Sequence, residues 1–444
     1  MFKNSKLVSI AAFFCIMMLC SVSCTQNKTG GSAAAPAKTQ NAGPQGNCWD
    51  YFPGGDDDLW VYEMSAKAGG QAKNAEVVMC NFGKQKIGSN EGVLSGFYID
   101  NWEASKNIFN VVGSEVIMYG AMYSDGKTVE YNPAAVVFKY PPKAGDKWTN
   151  PSKLNGFDTK YEVTGEEEVS LPAGKIKAWK IYCGTDYGTQ GKKEVNNWYA
   201  EGIGLVKMEE TTVYGNEKSV VTIELKGYRV NGKKGGSSVP DKFIQHRFVD
   251  REDNPYLAEM KEYFMMTPGH VDIYKEKLPF GDGKAKDFEN GYEVRGLKIV
   301  DGREVLVIVS AIESQGYIPV EDYYYIEGDT IWKIGRSSAR KGKMVPYLKF
   351  PLKDGAKWDF EGNNIKETNT VKGTEDVKTP AGTFKGIRID STSVSSDAMR
   401  SSGTSSAWYV KGKGYVKRVT KMALPNGKAI EIVEQLSEIH DGGH

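Results

Sequence analysis

The feature that most constrains this chain is a pair of signatures that occurs twice. Pro172-Ala173-Gly174-Lys175-Ile176-Lys177 is followed by Trp198-Tyr199, Gly202, Gly204, Val206 and Lys207. The same pattern returns as Pro380-Ala381-Gly382-Thr383-Phe384-Lys385, then Trp408-Tyr409, Gly412, Gly414, Val416 and Lys417. Two further groups keep the order. Tyr51-Phe52 and Tyr62 answer to Tyr263-Phe264 and Tyr274, and Phe138-Lys139-Tyr140-Pro141 with Gly145 and Trp148 answers to Leu348-Lys349-Phe350-Pro351 with Gly355 and Trp358. The spacing stays between 208 and 212 residues. Solenoid and propeller repeats recur at roughly 20–50 residues; a period of this length is domain-sized.

Each copy reads as strand. Gly (50) and Tyr (24) are abundant, which suits β-runs joined by tight turns. Hairpin signals fall at Ser124-Asp125-Gly126, Val300-Asp301-Gly302-Arg303 and Glu327-Gly328-Asp329. Asn254-Pro255 opens a short helix over Tyr256 to Phe264, with a capping residue before Pro in the first turn. The Gly/Ser/Lys-rich stretch with Pro240 that precedes it marks a boundary. The expected layout is a first domain over 48–231, a linker over 232–254 and a second domain over 255–444.

Leu171-Pro172-Ala173-Gly174 fits a type I turn closed by a left-handed Gly, hence a hairpin. On the returning strand Trp179 and Ile181 share a side that stays apolar in the second copy, as Ile387 and Ile389. The other side keeps a cation, Lys180 or Arg388. In the Gly-x-Gly strand pair, Val206 and Val416 are expected inward, with Leu205/Tyr415 and Lys207/Lys417 outward. Gly202-x-Gly204 lacks the third Gly and the following helix of a phosphate loop, so it reads as a structural turn.

The N-terminus reads as an export signal: a short basic start, an apolar run from Leu7 to Leu19, and small residues before Cys24. The run is too short for a confident spanning helix. The Ser21-Val22-Ser23-Cys24 ending resembles a bacterial lipoprotein signal, which implies cleavage after residue 23 and acylation of Cys24. It departs from that pattern in having Ser21 where Leu is preferred. Residues 24–47 hold almost no large apolar side chain and are expected to act as a disordered tether.

The pairing of P-A-G-x-F/I-K with W-Y-x-x-G-x-G-x-V-K resembles a group of uncharacterised bacterial exported and lipoprotein-like β domains, here present twice. Pro351-Leu352-Lys353-Asp354-Gly355-Ala356-Lys357-Trp358 matches another of their elements, and the first copy departs with Pro142 for the Leu. The resemblance implies a curled antiparallel sheet or half-barrel, similar to envelope proteins that carry lipids or lipoproteins in an apolar concavity. It brings no catalytic residues. The expected fold class is thus mainly β: two tandem homologous antiparallel β domains with few short helices.

No chemistry stands out. His246, His270, His440 and His444 lack metal-ligand spacing, and no G-x-S-x-G elbow is present. Asp56-Asp57-Asp58 is a weak calcium candidate whose spacing is not that of an EF-hand. Glu166-Glu167-Glu168 reads as a wet strand. Cys48, Cys80 and Cys183 are too few and scattered for a disulfide framework; one bond involving Cys183, or three thiols, fits the count. Formal charge is +1 and the leader removes two lysines, so no basic surface argues for nucleic acid.

The expectation is a non-catalytic envelope lipoprotein without a cofactor, acting as a binding or scaffold module. It would sit on the membrane through its lipid anchor, at the outer membrane or cell surface rather than free in the periplasm. Its ligand would be a protein, glycan or lipid. A carrier of an apolar ligand is the alternative, and an exported hydrolase a more distant one. The sequence signature residues (Pro172, Gly174, Trp198, Gly202, Gly204, Lys207 and their counterparts Pro380, Gly382, Trp408, Gly412, Gly414, Lys417) are expected to be structural.

Overall fold

The computed structural model describes residues 47–123, 128–151, 157–215, 217–249, 254–279, 285–313, 319–336, 344–362, 365–395, 402–423 and 429–440. Cys24, the leader, most of the tether and the Ser124-Asp125-Gly126 turn lie outside them. The chain falls into two units, Met1–Phe243 and Ile244–His444, and is mainly β.

The first unit contains β1 (Leu59–Ala68), β2 (Gln71–Ile87), β3 (Asn90–Ile99), β4 (Trp102–Val112), β5 (Glu115–Tyr123), β6 (Thr128–Lys139), β7 (Lys147–Asn150), β8 (Thr159–Leu171), β9 (Gly174–Asp186), β10 (Gly191–Ala200), β11 (Gly204–Tyr214), β12 (Glu217–Val230) and β13 (Lys233–Gly236). All pairings are antiparallel. The order runs β6-β5-β4-β3-β2-β1-β12-β11-β10-β9-β8-β7, and β13 adds to one end of β12. The edges β6 and β7 do not join by a described backbone ladder, so the sheet stays an open half-barrel. Side chains bridge them instead: Trp148 Nε1 donates to Val136 O at 2.8 Å, and Asn150 exchanges two hydrogen bonds with the Val136 backbone.

The second unit contains α1 (Leu257–Tyr263), then β14 (Val271–Pro279), β15 (Ala285–Val300), β16 (Arg303–Ile312), β17 (Pro319–Glu327), β18 (Thr330–Arg336), β19 (Met344–Lys349), β20 (Lys357–Gly362), β21 (Ile365–Thr379), β22 (Gly382–Ser395), β23 (Gly403–Val410), β24 (Gly414–Ala423) and β25 (Ala429–His440). Its order is β19-β18-β17-β16-β15-β14-β25-β24-β23-β22-β21-β20. Taken strand by strand, this is the order of the first unit without β13.

Irregularities recur at matched places. The ladder slips at Val61/Tyr62 and Ile273/Tyr274, at Val163/Gly165 and Val371/Thr374, and at Trp198/Tyr199 and Trp408/Tyr409. Bulges bend a strand and raise its twist, which curls each sheet onto its own side chains. Strand interiors alternate as a half-buried sheet must: on β12, Val221, Ile223 and Leu225 are buried while their neighbours are half-exposed.

The stretch 232–254, expected as a linker, contains the split between units but is not free chain. Lys233–Gly236 pairs with β12. His246 and Val249 form isolated bridges to Arg303 and Ile326 of the second unit. The expected helix is present and shorter, with Asn254 Oδ1 accepting the Tyr256 amide at 2.9 Å.

Candidate functional site: the concave face of the first unit

The Pro-Ala-Gly hairpin forms as expected. Leu171 pairs with Gly174 across Pro172-Ala173, and Thr379 with Gly382 across Pro380-Ala381. Gly174 and Gly382 take φ of 115° and 140°, a region that favours Gly. Each turn is tied to the last long strand of its unit: Ala173 N donates to Leu225 O, and Ala381 N to Leu436 O.

The signature Trp stands on the face opposite the concavity. Trp198 is buried, its indole N–H donates to Glu167 at 2.6 Å, and Lys180 and Lys207 lie over its ring. Trp408 repeats this with Glu375 at 2.7 Å, Arg388 and Lys417. The cations cover the rings with their stems and charge. These kept residues therefore hold four strands together.

Gly-x-Gly has a role that sequence reading did not assign. Gly202 N donates to Asp50 O at 2.6 Å and Gly412 N to Glu262 O at 2.7 Å. The turn thus clamps the segment that opens each unit. In the first, Cys48–Asp50 forms a 3-10 turn closed by Asn47 and Asp50 as a capping box. Clamping places Tyr51 and Phe52 in the concavity. Phe52 stacks on Tyr199 at 4.7 Å, and Tyr51 stacks on Phe138 at 5.2 Å. In the second unit Phe264 packs on Tyr324 and Tyr347.

The Tyr51 and Phe52 rings help to line a cavity of about 170 Å³ walled by strands from both halves of the strand order. Trp60, Met79, Phe97, Phe109 and Met208 supply its apolar wall. The outward placement expected for Leu205 is corrected: it lines this cavity. The ladder slip sets Tyr199 opposite Leu205 and Trp198 opposite Lys207, leaving Val206, fully buried, as the additional residue. Its counterpart Tyr415 likewise turns to the interior, where its hydroxyl donates to Glu434 at 2.6 Å.

Polar groups interrupt the apolar wall. Lys193 and Glu210 form an ion pair at 3.0 Å with side chains 7% and 1% exposed. Asn81, Ser95 and Asn107 stand opposite one another on β2, β3 and β4, and all three are buried lining residues. The β10 wall alternates Lys193, Val195, Asn197 and Tyr199 into the cavity. That period-2 row was visible in the sequence, but the Trp198 signature on the opposite face drew the reading away from it.

The matching face of the second unit has different chemistry. Met208 pairs with Ile223 in the first unit, and Arg418 with Glu434 in the second. Met79 opposite Trp60 becomes Tyr292 opposite Asp272. Glu434 accepts from Tyr292 at 2.9 Å, from Tyr415 and from Asn290. Burial, then the Glu434 charge, pushes the Tyr292 and Tyr415 hydroxyls up, so both stay neutral donors.

The three aspartates do not converge. Asp58 is buried and accepts the amides of Gly55 at 2.9 Å and Asn231 at 2.8 Å. Asp56 and Asp57 are exposed, and Asp57 holds φ 64° with its carbonyl accepting from Arg229. Among the described residues no three His, Cys, Asp or Glu side chains gather as a metal would need. Cys48, Cys80 and Cys183 are buried thiols, the second of the two states that the count allowed. Cys183 lines the cavity, and burial followed by the Glu115 charge pushes the Cys48 thiol up to about 11.

Fold and site together define an open antiparallel β half-barrel with a small, largely apolar cavity. No known protein family and no curated protein matches the sequence. Among solved structures, a protein described as exported, with a YmcC-like fold, from Bacteroides fragilis is 14% identical; the match covers 40% of this chain and 99% of that one, at a TM-score of 0.29. One described as a lipoprotein, from Parabacteroides distasonis, is 14% identical over 40% of this chain and 98% of its own, at 0.25. A DUF3598 protein of unknown function from Nostoc punctiforme is 8% identical over 88% of this chain and all of its own, at 0.21. Likeness of this degree supports no argument about role.

Proposed function

We propose that this chain is an exported, lipid-anchored binding protein of the cell envelope, non-catalytic, built from one β module used twice. Its first module holds an apolar ligand in its concave face. The observation that carries the reading is the 170 Å³ cavity lined in part by Tyr51 and Phe52. A well-packed core keeps few voids larger than a water, and one water needs only about 10–15 Å³. Drug-sized sites run to roughly 300–1,000 Å³, so the concavity is narrower than a carrier of a whole lipid would offer. An apolar cavity of about 150 Å³ accepts a single ring such as benzene. The ligand is therefore of single-ring or short-chain size.

The test is native mass spectrometry, with organic extraction, of protein isolated from its own envelope. The reading expects a small apolar molecule bound one to one. Protein that carries no such molecule, and takes up none on titration, would reject it. Labelled-palmitate incorporation that disappears with Cys24→Ala tests the anchor separately.

A further inference from the structure

The second unit carries an arginine where the first lines its cavity with a methionine. Met208 pairs with Asn197, one step along the ladder from Lys207 and Trp198, and Arg418 pairs with Ala407, one step along from Lys417 and Trp408. Met208 lines the first cavity. Arg418 instead meets tyrosines: its guanidinium carbon lies 5.0 Å from the centre of the Tyr415 ring. The rings adjoin, Tyr415 to Tyr409 at 6.0 Å and Tyr409 to Tyr347 at 6.5 Å between centres. All three, with Glu434, are close enough to act on the Arg418 charge.

A cation drawn out of bulk water normally takes a carboxylate as its partner. Glu434 stands opposite Arg418 in the ladder, but its oxygens are engaged. Its Oε1 accepts from Tyr292 at 2.9 Å and from Asn290 at 3.3 Å, and its Oε2 accepts from Tyr415 at 2.6 Å. Burial above all pushes the Tyr347 and Tyr415 hydroxyls well up, so neither supplies a negative charge. Among the described residues Arg418 keeps its ring contact and makes no hydrogen bond or ion pair. The residue is only partly buried, and none of its nitrogens belongs to the sealed, unpartnered side-chain atoms. Its donors are therefore within reach of a ligand.

A guanidinium offers five N–H donors in a planar fork that takes carboxylate or phosphate oxygens two at a time. We infer that Arg418 is an anion site: the second unit binds a small organic anion, with its carboxylate or phosphate on the Arg418 fork and its body against the tyrosine rings. The Glu434 charge lies farther from the fork than a bound oxyanion would, and Coulomb attraction falls with distance. This site is separate from the apolar cavity of the first unit and does not rest on it.

The experiment is calorimetry of the full chain with benzoate, phenyl phosphate, acetate and the neutral benzamide. Benzoate or phenyl phosphate should bind at least about tenfold more tightly than benzamide; whichever leads identifies the head group. Acetate, which lacks the body, should bind more weakly than benzoate. Arg418→Met, which installs the residue of the first unit, should cut the margin over benzamide to about threefold or less. Arg418→Lys keeps the charge but not the fork, and should lose most of the margin too. Both variants are checked by their β spectrum, and if the Met variant does not fold the Lys variant decides. A margin that survives in the folded variants overturns the inference, as does equal binding of the anions and benzamide, or binding of none. Acetate as tight as benzoate overturns the placement against the rings. Binding of octan-1-ol should be the same in wild type and variants, so failure here leaves the first cavity standing.

Discussion

Trp198 shows how much a single side chain can fix. It meets Glu167, Lys180 and Lys207 from three other strands. Trp198→Phe removes the indole donor and weakens both cation contacts, and should cost about 1–3 kcal/mol by urea unfolding. A titrating residue sits beside the second copy of this cluster. Asp390 is drawn upward by burial, but hydrogen bonds from Arg388 and Ser406 and the Arg388 charge outweigh this and hold its carboxyl below the ordinary value. An acid lowered on folding contributes stability above its unfolded pKa, about 3.9, and loses it as pH falls through the folded value. Unfolding measured from pH 6 down to pH 2 should therefore show an acid-side loss that Asp390→Asn reduces, by up to about 1 kcal/mol for a half-exposed pair. Asp58 has the opposite sign. Burial raises its carboxyl despite two amide bonds, so its contribution declines as pH rises from the unfolded value toward the folded one.

At the scale of elements, the clamp between Gly-x-Gly and the opening segment is the device that builds the site. Gly202 has φ 73° and Gly412 the same. Ala at either position should cost about 1–2 kcal/mol, the left-handed penalty for a residue with a Cβ. Phe52→Ala should destabilise by about 3–5 kcal/mol and enlarge the cavity, so that longer apolar ligands gain affinity relative to octane. The hairpins, the Gly positions and the pairing of Trp-Tyr with Gly-x-Gly strands were legible in the sequence because each is a local matter of φ and period. The cavity was not. Trp60, Asn81, Asn107 and Lys193 lie on separate strands, and which of them share a face depends on ladder slips that no local pattern announces. The slip at Trp198/Tyr199 moved Leu205 inward, against the simple alternation. Cys183 lines the cavity as a thiol. Its counterpart by register is Ser391.

Over the whole molecule, one strand order appears twice with unlike interiors. Methionines and Phe97 and Phe109 line the first concavity, whereas Glu434, Arg418 and tyrosines occupy the matching face of the second. Each unit has its own cluster of buried residues. Fragments 47–243 and 244–444, expressed apart, should each give a β-type circular dichroism spectrum and a cooperative unfolding transition; a fragment that stays unfolded alone would contradict the two-module account. The paired landmarks were readable because their spacing stays nearly constant where the residues between them change. The division of chemistry between the concavities was not, since it needs the faces to be known.

The central claim is that the first concavity is the ligand site. The direct measurement is the affinity of the full chain for octan-1-ol with and without Ala135→Trp, a lining position where an indole would fill the cavity. The account predicts that the variant keeps its β spectrum and loses at least about tenfold in affinity, roughly 1.4 kcal/mol. Unchanged affinity in a folded variant would place binding elsewhere and contradict it.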